Sequence, residues 1–427
     1  MLQQFNDHCN ANNLLPDYQS AYREHFSCET ALVKLHDDIL QSMETQRVTA
    51  IVAIDLSAAF DTVDHDILLN VLHQRFGISR DILGWYESYL RPRSFKVNVG
   101  SAYSTSRSLN FSVPQGSCAG PMLYSCYAST MRDVVPNTID IHGYADDHAL
   151  KQSFHGSSRD EERDTMQKLE YTITDIKEWM DENRLKMNSD KTEFILMGSK
   201  QQLQKASTSE IVINGQTIER SRKIKYLGAD LDEQLLLKEM ITRKCRIAMG
   251  NLQKLKKIRK FLTLDAAKTI ALGLVISHLD YANALYSGLP ATEIKKLQRI
   301  QNMAAKIVTK ADRYDSSTEA LKSLHWLPIH LRIEYKVLTL VFKSLHGLAP
   351  QYLCDLIQIA NPTRPGLRSE SKANTLKVPF TKHSTFADRG FSVHGPRAWN
   401  ELKDDVRSTT NYNDFKKKLK TFLFEQF

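Results

Sequence analysis

Apolar side chains recur every three or four residues along much of the chain, and shorter stretches have the pattern of strands. Residues 29–43 and the stretch from Met166 to Met180 repeat apolar positions at helical spacing, which predicts a helix in each. The run from Thr49 to Asp55 is short, rich in β-branched residues and closed by a carboxylate, which predicts a buried strand. Helical spacing predicts further helices at 65–76, 80–90, 118–131, 236–262, 264–286, 291–310, 331–346 and 411–425.

Two-residue alternation predicts several more strands. Phe95, Val97 and Val99 alternate with polar residues, as in a half-buried strand, and residues 106–113 are predicted to pair with them. Residues 139–150 predict two short strands around a tight turn at 145–147. Other strands are predicted at 192–197, 211–213 and 224–231, and a linker at Pro362, Pro365 and Gly366. A mixed block followed by a helical block predicts an α+β fold.

The composition is that of a globular protein. The 427 residues suffice for two or three domains, and 42% are hydrophobic against 25% charged. No apolar run is long enough for a transmembrane helix, and the polar first residues lack the apolar core of a secretory signal. The six cysteines are scattered without zinc-ligand spacing, so free thiols are expected.

Basic residues are concentrated in one region. The formal net charge is +8, and residues 199–262 contain 15 Lys and Arg against 6 Asp and Glu. Such a surface favours polyanions such as nucleic acid, through contacts with phosphates. The alternative is a solvated helix face without a partner, which charge alone does not exclude.

Three carboxylates are candidates for a metal site. Asp55 ends an apolar strand, while Asp146 and Asp147 are adjacent at the predicted turn. Clustered carboxylates repel one another, and divalent cations such as Mg²⁺, which prefer oxygen ligands, relieve that repulsion. The alternative for Asp146-Asp147 alone is an ordinary turn, because Asp often hydrogen-bonds to the backbone of turns.

The acidic residues lie in motifs that resemble those of reverse transcriptases. Residues 144–147, Tyr-Ala-Asp-Asp, resemble the YADD box, and residues 53–65 resemble the first acidic box of the non-LTR group. Residues 112–117 with Gly120-Pro121 resemble the second box of that group, residues 185–192 the fourth, and residues 225–228 the primer-grip box. A weaker resemblance to jockey-like LINE elements extends to the tail at 395–400.

This resemblance implies a right-hand polymerase fold and RNA-directed DNA polymerase activity, a nucleotidyltransferase reaction of a non-LTR retrotransposon. The expected partners are an RNA template, a DNA primer and deoxynucleoside triphosphates, without a membrane. Asp55, Asp146 and Asp147 would bind two Mg²⁺ ions, or Mn²⁺ in their place, which would act on both sides of an in-line displacement at phosphorus. The implied location is the nucleus or cytoplasm.

Other residues receive roles from the same resemblance. Phe60 would lie beneath the incoming sugar and exclude a ribose 2′-hydroxyl; the alternative is a core phenylalanine. Gln115 would reach the incoming nucleotide, and Gly116 would let the backbone approach it closely. The alternative for this segment is a simple turn. Lys191 would donate a proton to the departing pyrophosphate or neutralise its charge, although its segment could equally be a turn that ends a helix.

The primer-binding residues are predicted in the second half of the chain. Tyr226, Leu227 and Gly228 would hold the primer end, or would be a packed strand with a bend. A basic amphipathic helix would follow the template–primer backbone, with phosphate contacts from Lys254, Lys257 and Lys260.

The N-terminal segment departs from the family pattern. Residues 19–25 resemble a fingers segment in which Arg23 would contact substrate, yet this segment begins only 18 residues into the chain. We therefore expect an N-terminally truncated element that lacks upstream fingers strands and an endonuclease, with weakened activity. The small residues Cys118 and Ala119 replace the usual apolar pair of the second box.

The resemblance divides the chain into partial fingers (1–45), a palm (46–234), a helical thumb (235–330) and a C-terminal helical region with a basic tail (331–427). The main alternative is a catalytically inactive, nucleic-acid-binding remnant of such an element. A metal-dependent hydrolase is disfavoured, because no motif supplies a base beside the aspartates. A maturase or telomerase relative fits the 59–65 run less well than the LINE group does.

Overall fold

The computed structural model describes residues 1–312, 314–360, 374–383 and 386–427. These residues fall into two compact units. Unit 1 comprises residues 1–26, 48–196 and 201–224, and unit 2 comprises residues 27–47, 197–200 and 225–427. The predicted division into fingers, palm, thumb and tail stays a prediction, and the predicted linker at 362–366 lies outside the described residues.

Strands are concentrated in the first half of the chain. In chain order they are β1 (Arg47–Ile54), β2 (Leu56–Ser57), β3 (Ser94–Phe95), β4 (Asn98–Val99), β5 (Ala102–Tyr103), β6 (Arg107–Ser108), β7 (Asp140–Tyr144), β8 (Asp147–His155), β9 (Lys186–Met187), β10 (Glu193–Met197), β11 (Glu210–Ile213), β12 (Gln216–Ser221), β13 (Lys223–Tyr226) and β14 (Ala229–Asp232).

Helices occur throughout and dominate unit 2. In chain order they are α1 (Leu2–Ala11), α2 (Cys28–Glu44), α3 (His65–Gln74), α4 (Arg80–Leu90), α5 (Gly120–Tyr127), α6 (Arg159–Glu182), α7 (Lys200–Leu203), α8 (Lys238–Ile258), α9 (Leu264–Ala271), α10 (Ser277–Asp280), α11 (Ala291–Thr309), α12 (Ser317–Ser323), α13 (Ile329–Leu345), α14 (Gln351–Cys354), α15 (Phe391–Asn400), α16 (Asp404–Arg407) and α17 (Tyr412–Glu425). The predicted α+β class, with a helical second part, is confirmed.

Unit 1 is organised around a six-stranded sheet in the order β11-β12-β10-β1-β8-β7. β7 and β8 form an antiparallel hairpin in which Tyr144 lies opposite Asp147. The long helix α6 packs on β8 and β11. Its buried face contains the apolar residues that the 3.6-residue period predicts, namely Met166, Leu169, Ile173, Ile176 and Met180.

Side-chain hydrogen bonds determine where several elements begin. Ser27 and Thr30 form a reciprocal capping box at the start of α2. Asp64 caps α3 by accepting the backbone N–H groups of Asp66 and Ile67. In α6, the buried Glu162 accepts the backbone N–H groups of Ser207 and Thr208 at 2.7 Å each, which ties the loop before β11 to the helix.

The prediction of a half-buried strand at 95–99 is wrong, because the apolar side chains of this segment are exposed. Phe95, Val97 and Val99 are 48%, 54% and 75% exposed. The segment from 94 to 108 folds back on itself as two-residue ladders, β3 with β6 and β4 with β5. Alternation of apolar and polar residues predicts which side chains share one face of a strand. It does not show whether another part of the protein packs on that face.

Two other elements differ from their predictions. The helix predicted at 264–286 is interrupted by a π-helix at Leu272–Ile276 and by Ala282 in the left-handed region, with φ of 51°. The strand predicted at 224–231 is instead a hairpin of β13 and β14, which pair with each other. Its turn contains Leu227 and Gly228, with φ of 46° and 73°. The side-chain pattern predicted one continuous strand, but this left-handed backbone conformation breaks it into two.

Among the described residues, no helix combines the length and apolar character needed to cross a membrane. All six cysteines lie in the described part and are free thiols, as predicted.

Candidate active site

The predicted catalytic carboxylates lie at the ends of neighbouring strands in unit 1. Asp55 directly follows β1, and Asp147 is the first residue of β8, the strand next to β1 in the sheet. Asp146 occupies the two-residue turn between β7 and β8. All three are half-buried residues of unit 1.

Asp55 carries an unsatisfied oxygen. Its Oδ2 atom is buried and accepts no hydrogen bond from any described residue. The Nζ of Lys191 lies 3.5 Å from Oδ2, and the backbone N–H of Asn188 donates to the Asp55 carbonyl at 2.8 Å. The pairing of β2 with β9 therefore brings the Lys191 segment to Asp55.

The described side chains do not form a ready-made metal cage. Nowhere in the described ranges does a group of three or more His, Cys, Asp or Glu side chains lie close enough to hold an ion. A Mg²⁺ ion typically takes one or two protein carboxylates and completes its shell with water and substrate phosphates, so a cage of three is not required. The metal-ligand role of the three aspartates stays a prediction.

Gln19 supports the turn that carries Asp146. Its side-chain Oε1 accepts the N–H of Ala145 at 2.8 Å, and its Nε2 donates to the Ala145 carbonyl at 3.1 Å. Gln19 is 1% exposed, and Ala145 has a φ of 57°, a sparsely populated conformation for a residue with a side chain. Sequence reasoning noted the 19–25 segment but missed Gln19, because a contact across 126 residues leaves no local signal.

An aromatic cluster adjoins Asp146. The ring of Phe60 stacks on Tyr124 with centroids 4.5 Å apart, and it meets Tyr22 in a T-shaped arrangement with centroids 6.5 Å apart. Burial, followed by the negative charge of Asp146, raises the pKa of both Tyr22 and Tyr124 above the ordinary value. Phe60 is therefore a half-buried ring that packs against the core close to Asp146.

The predicted nucleotide-binding loop lies against the segment after Asp55. The Val113 N–H donates to the Phe60 carbonyl at 3.1 Å, and Gln115 Nε2 donates to Asp61 Oδ1 at 2.7 Å. Gly116 has a φ of 76°, and a Cβ at this position would meet nothing within 4 Å. This left-handed conformation explains the glycine, and the loop leaves Gln115 exposed beside Asp61.

Arg23 is held within its own segment. Its guanidinium donates to the carbonyls of Pro16 and Gln19 at 3.2 and 3.3 Å and lies 4.4 Å from the centre of the Phe26 ring. Its role in substrate binding stays a prediction.

The predicted primer-grip residues form a braced turn in unit 2. Tyr226 and Leu227 are buried, and the Tyr281 hydroxyl donates to the Leu227 carbonyl at 2.5 Å. Arg243 donates to the Gly228 carbonyl at 2.9 Å. A side chain at position 228 would approach the Tyr281 hydroxyl to 3.3 Å, so both φ and space favour glycine.

A buried lysine lies beneath this turn. Lys244 is 4% exposed, donates to the Tyr281 carbonyl and lies 5.1 Å from the Tyr281 ring centre and 5.2 Å from that of Tyr286. Burial, followed by the positive charge of Arg243, lowers the pKa of Lys244 from 10.5 to about 7.

The predicted basic helix borders a groove with a volume of ≈ 540 Å³ in unit 2. This basic groove has no carboxylate among its described lining residues, and its cations are Lys256, Arg259, Lys260, Lys306 and Lys310. Of the three predicted phosphate contacts only Lys260 lines the groove, while Lys254 and Lys257 are exposed outside it. Lys306 and Lys310 lie on or just after α11 and carried no distinguishing pattern in the sequence.

Arg259 differs from the other cations of this helix. It is 8% exposed, and its guanidinium donates to the carbonyls of Ile307 and Val308 at the end of α11. It therefore satisfies terminal carbonyls, a structural role. The apolar face predicted for the basic helix is only half buried, because Leu252 and Leu255 are covered while Ile258 and Phe261 are exposed.

These features coincide with a family match. The model of the family described as reverse transcriptase (RNA-dependent DNA polymerase) matches residues 1–231, more than half of the chain. The chain belongs to this family.

The chain is also similar to polymerases of Drosophila transposons. It is 27% identical over 329 residues to the probable RNA-directed DNA polymerase from transposon BS of Drosophila melanogaster, a match that covers 75% of this chain and 35% of that protein. It is 25% identical to the RNA-directed DNA polymerase from mobile element jockey of the same species, covering 70% and 32%. The predicted jockey-like, non-LTR resemblance is confirmed, and the chain spans about a third of the length of these relatives.

Among solved structures, apo telomerase from Candida tropicalis aligns with a TM-score of 0.41 at 13% identity, covering 78% of this chain and 54% of that chain. A superposition this loose does not define a shared fold.

We predict that Gln19→Ala lowers the free energy of unfolding by about 1–3 kcal/mol, because it leaves buried backbone groups of Ala145 without partners. Urea denaturation measures the change. Gln201→Ala, which truncates an exposed glutamine of unit 1, is the matched control and should change the free energy by less than about 0.5 kcal/mol. Equal losses in both variants would contradict the role of Gln19.

We predict that Lys244 makes stability depend on pH. Because its pKa is about 7 in the folded chain and 10.5 as a free side chain, the unfolded state binds more protons between these values, so stability rises with pH across this window. The full shift corresponds to at most about 5 kcal/mol.

Lys244→Met isolates this effect, since it removes the titrating group and keeps an unbranched side chain. The free energy of unfolding of wild type minus that of Lys244→Met should increase between pH 6.5 and pH 9.5. A difference that is flat over this range would refute the assignment.

Proposed function

We propose that this chain is the polymerase portion of a non-LTR retrotransposon reverse transcriptase, which transfers nucleotides from deoxynucleoside triphosphates to a primer 3′-hydroxyl on an RNA template. The observation that carries the proposal is the pairing of β1 and β8 in the sheet, since Asp55 follows β1, Asp147 begins β8 and Asp146 immediately precedes it. Location in the nucleus or cytoplasm belongs to the same proposal and rests on the family alone.

The register of these strands supports the proposal. Thr49 in β1 and Ser153 in β8 share a hydrogen bond of 2.9 Å between their hydroxyls. With these residues opposite each other, the two strands overlap along their whole lengths only when they run antiparallel. Six residues further along β1 and six back along β8, this register would bring Asp55 opposite Asp147.

The acidic residues fit divalent cations by their chemistry. The family generally uses divalent metal ions, and we propose two Mg²⁺ ions, or Mn²⁺ in their place, held by Asp55, Asp146 and Asp147. The buried Asp55 Oδ2 without a hydrogen bond is an oxygen ligand of the kind that Mg²⁺ prefers. When bound, the ions would lower the pKa of the primer hydroxyl and stabilise the charge on the leaving pyrophosphate.

The other side chains would act around the reacting phosphate. Lys191, 3.5 Å from Asp55 and largely exposed, would neutralise the pyrophosphate or give it a proton. Gln115, exposed on the loop that is hydrogen-bonded to the Phe60 segment, would contact the nucleotide. Phe60 would present its ring edge to the sugar.

Unit 2 supports the choice of a nucleic-acid substrate. The basic groove offers several cations and no carboxylate among the described residues, which suits a run of phosphates rather than a neutral ligand. We propose that Lys256, Lys260 and Lys310 contact the template–primer backbone together with Lys254 and Lys257. The braced turn at Tyr226-Leu227-Gly228 would hold the primer end.

We predict that Asp146→Asn reduces extension of a DNA primer on an RNA template by at least about a hundredfold, because even indirect partners of a metal site cost about 10–100-fold when removed. Extension is measured with Mg²⁺ and deoxynucleotides, and addition of a metal chelator should abolish it. Asp175→Asn, an exposed aspartate of α6, is the isosteric control and should extend normally.

The same assay separates the two functional classes. Binding of template–primer is followed beside extension, by fluorescence anisotropy. Binding without extension in the unmutated chain would favour a catalytically inactive nucleic-acid-binding protein. Extension that survives Asp146→Asn would overturn the proposed metal site.

Phe60 is expected to set sugar selectivity. We predict that Phe60→Val increases incorporation of ribonucleotides relative to deoxynucleotides by about tenfold or more, since removal of a steric clash worth about 1.4 kcal/mol has this effect. Phe60→Tyr retains the ring and should retain the preference for deoxynucleotides. An unchanged ratio in Phe60→Val, with extension preserved, would leave Phe60 as a core residue only.

A further inference from the structure

A cavity of ≈ 370 Å³ in unit 2 is lined by residues that the proposed polymerase reaction does not use. Four cationic side chains line it, and they come from three different helices. Lys268 lies on α9, Arg332 and Lys336 lie on α13, and Lys420 lies on α17. Asp280 is the one carboxylate among its described lining residues.

The acidic partners are already engaged. Asp280 forms a bidentate ion pair with Arg332. The Arg332 Nε donates to Asp280 Oδ1 at 2.8 Å, and a terminal guanidinium nitrogen of Arg332 donates to Oδ2. Lys336 donates to Glu29 at 2.7 Å. Neither Lys268 nor Lys420 has a carboxylate within ion-pair distance in the described part of the chain, so the cavity carries two uncompensated positive charges.

A neutral donor adds to these charges. Trp326 lines the cavity and is 3% exposed, and its indole N–H has no hydrogen-bond acceptor among the described residues. Buried donors are nearly always satisfied in folded proteins, so an unmet indole N–H beside two unpaired lysines indicates a missing acceptor. Burial lowers the pKa of Lys420, and the positive charges of Arg332 and Lys268 lower it further, so these cations lie close enough to repel one another.

We propose that this cavity is a binding site for a phosphate group, which Lys268 and Lys420 neutralise and the Trp326 N–H contacts. A phosphate group provides both negative charge and several acceptor oxygens, and it therefore complements two cations and an N–H donor. The cavity volume lies within the range of small-ligand sites and admits a nucleotide-sized group. The phosphate comes either from a polynucleotide backbone or from a free phosphate compound.

The test replaces both unpaired lysines and measures binding, so it does not depend on polymerase activity. Lys268→Gln/Lys420→Gln is compared with Lys377→Gln/Lys417→Gln, which removes two exposed lysines of unit 2 outside the cavity. Because the replaced cations repel, the first variant should unfold at a temperature no lower than the control does. This comparison establishes that the variant is folded before binding is measured.

Two arms distinguish the sources of phosphate. In the first, binding of a labelled single-stranded RNA is measured over a range of salt concentrations. Loss of this one phosphate contact should reduce the slope of log K against log salt by about 0.7 relative to the control. In the second, the rise in unfolding temperature caused by inorganic phosphate, compared with chloride at equal ionic strength, should disappear in the cavity variant alone.

Either result supports the site and identifies its ligand, since the first arm reports a polynucleotide and the second a free phosphate. If the cavity variant and the control variant behave alike in both arms, the proposal is overturned. Failure of primer extension in the unmutated chain would bear on the polymerase proposal and would leave this result unaffected.

Discussion

The turn between β7 and β8 is the constraint on which the candidate active site depends. It must present Asp146 and Asp147 beside the strand that precedes Asp55, although like charges repel and Ala145 occupies a backbone conformation that few residues adopt. The Gln19 side chain offsets that cost by satisfying both the N–H and the carbonyl of Ala145 from a fully buried position. The N-terminal segment is therefore part of the frame that holds the carboxylates.

The candidate sites of the two units carry charges of opposite sign. In unit 1, the exposed Lys191 lies 3.5 Å from a buried oxygen of Asp55, and the described carboxylates form no closed cage. In unit 2, cations outnumber carboxylates at both the basic groove and the cavity. An open acidic site suits ions that arrive with substrate phosphates, and a surface with more cations than carboxylates suits the phosphates themselves.

Short-range patterns predicted much of the fold. The buried face of α6 follows directly from its apolar period, and Asp64 caps α3 as its position before an apolar run suggests. The exposure of Phe95 and the break in the helix at Leu272–Ile276 were not predictable in this way. Each depends on tertiary contacts with other segments, which a short-range pattern does not contain. Gln19 was missed for the same reason, and the basic run around Arg259 gave no sign that this residue satisfies the end of a neighbouring helix.

Phe60 shows why a core role and a site role need not exclude each other. One face of its ring stacks on the buried Tyr124, which fixes the orientation of the ring by packing. The remainder is only half covered and lies in the cluster whose tyrosines respond to the charge of Asp146. A ring that discriminates between sugars by steric contact has to be immobile, since a mobile ring would yield to a 2′-hydroxyl. Packing against the core is therefore what would allow this side chain to be selective.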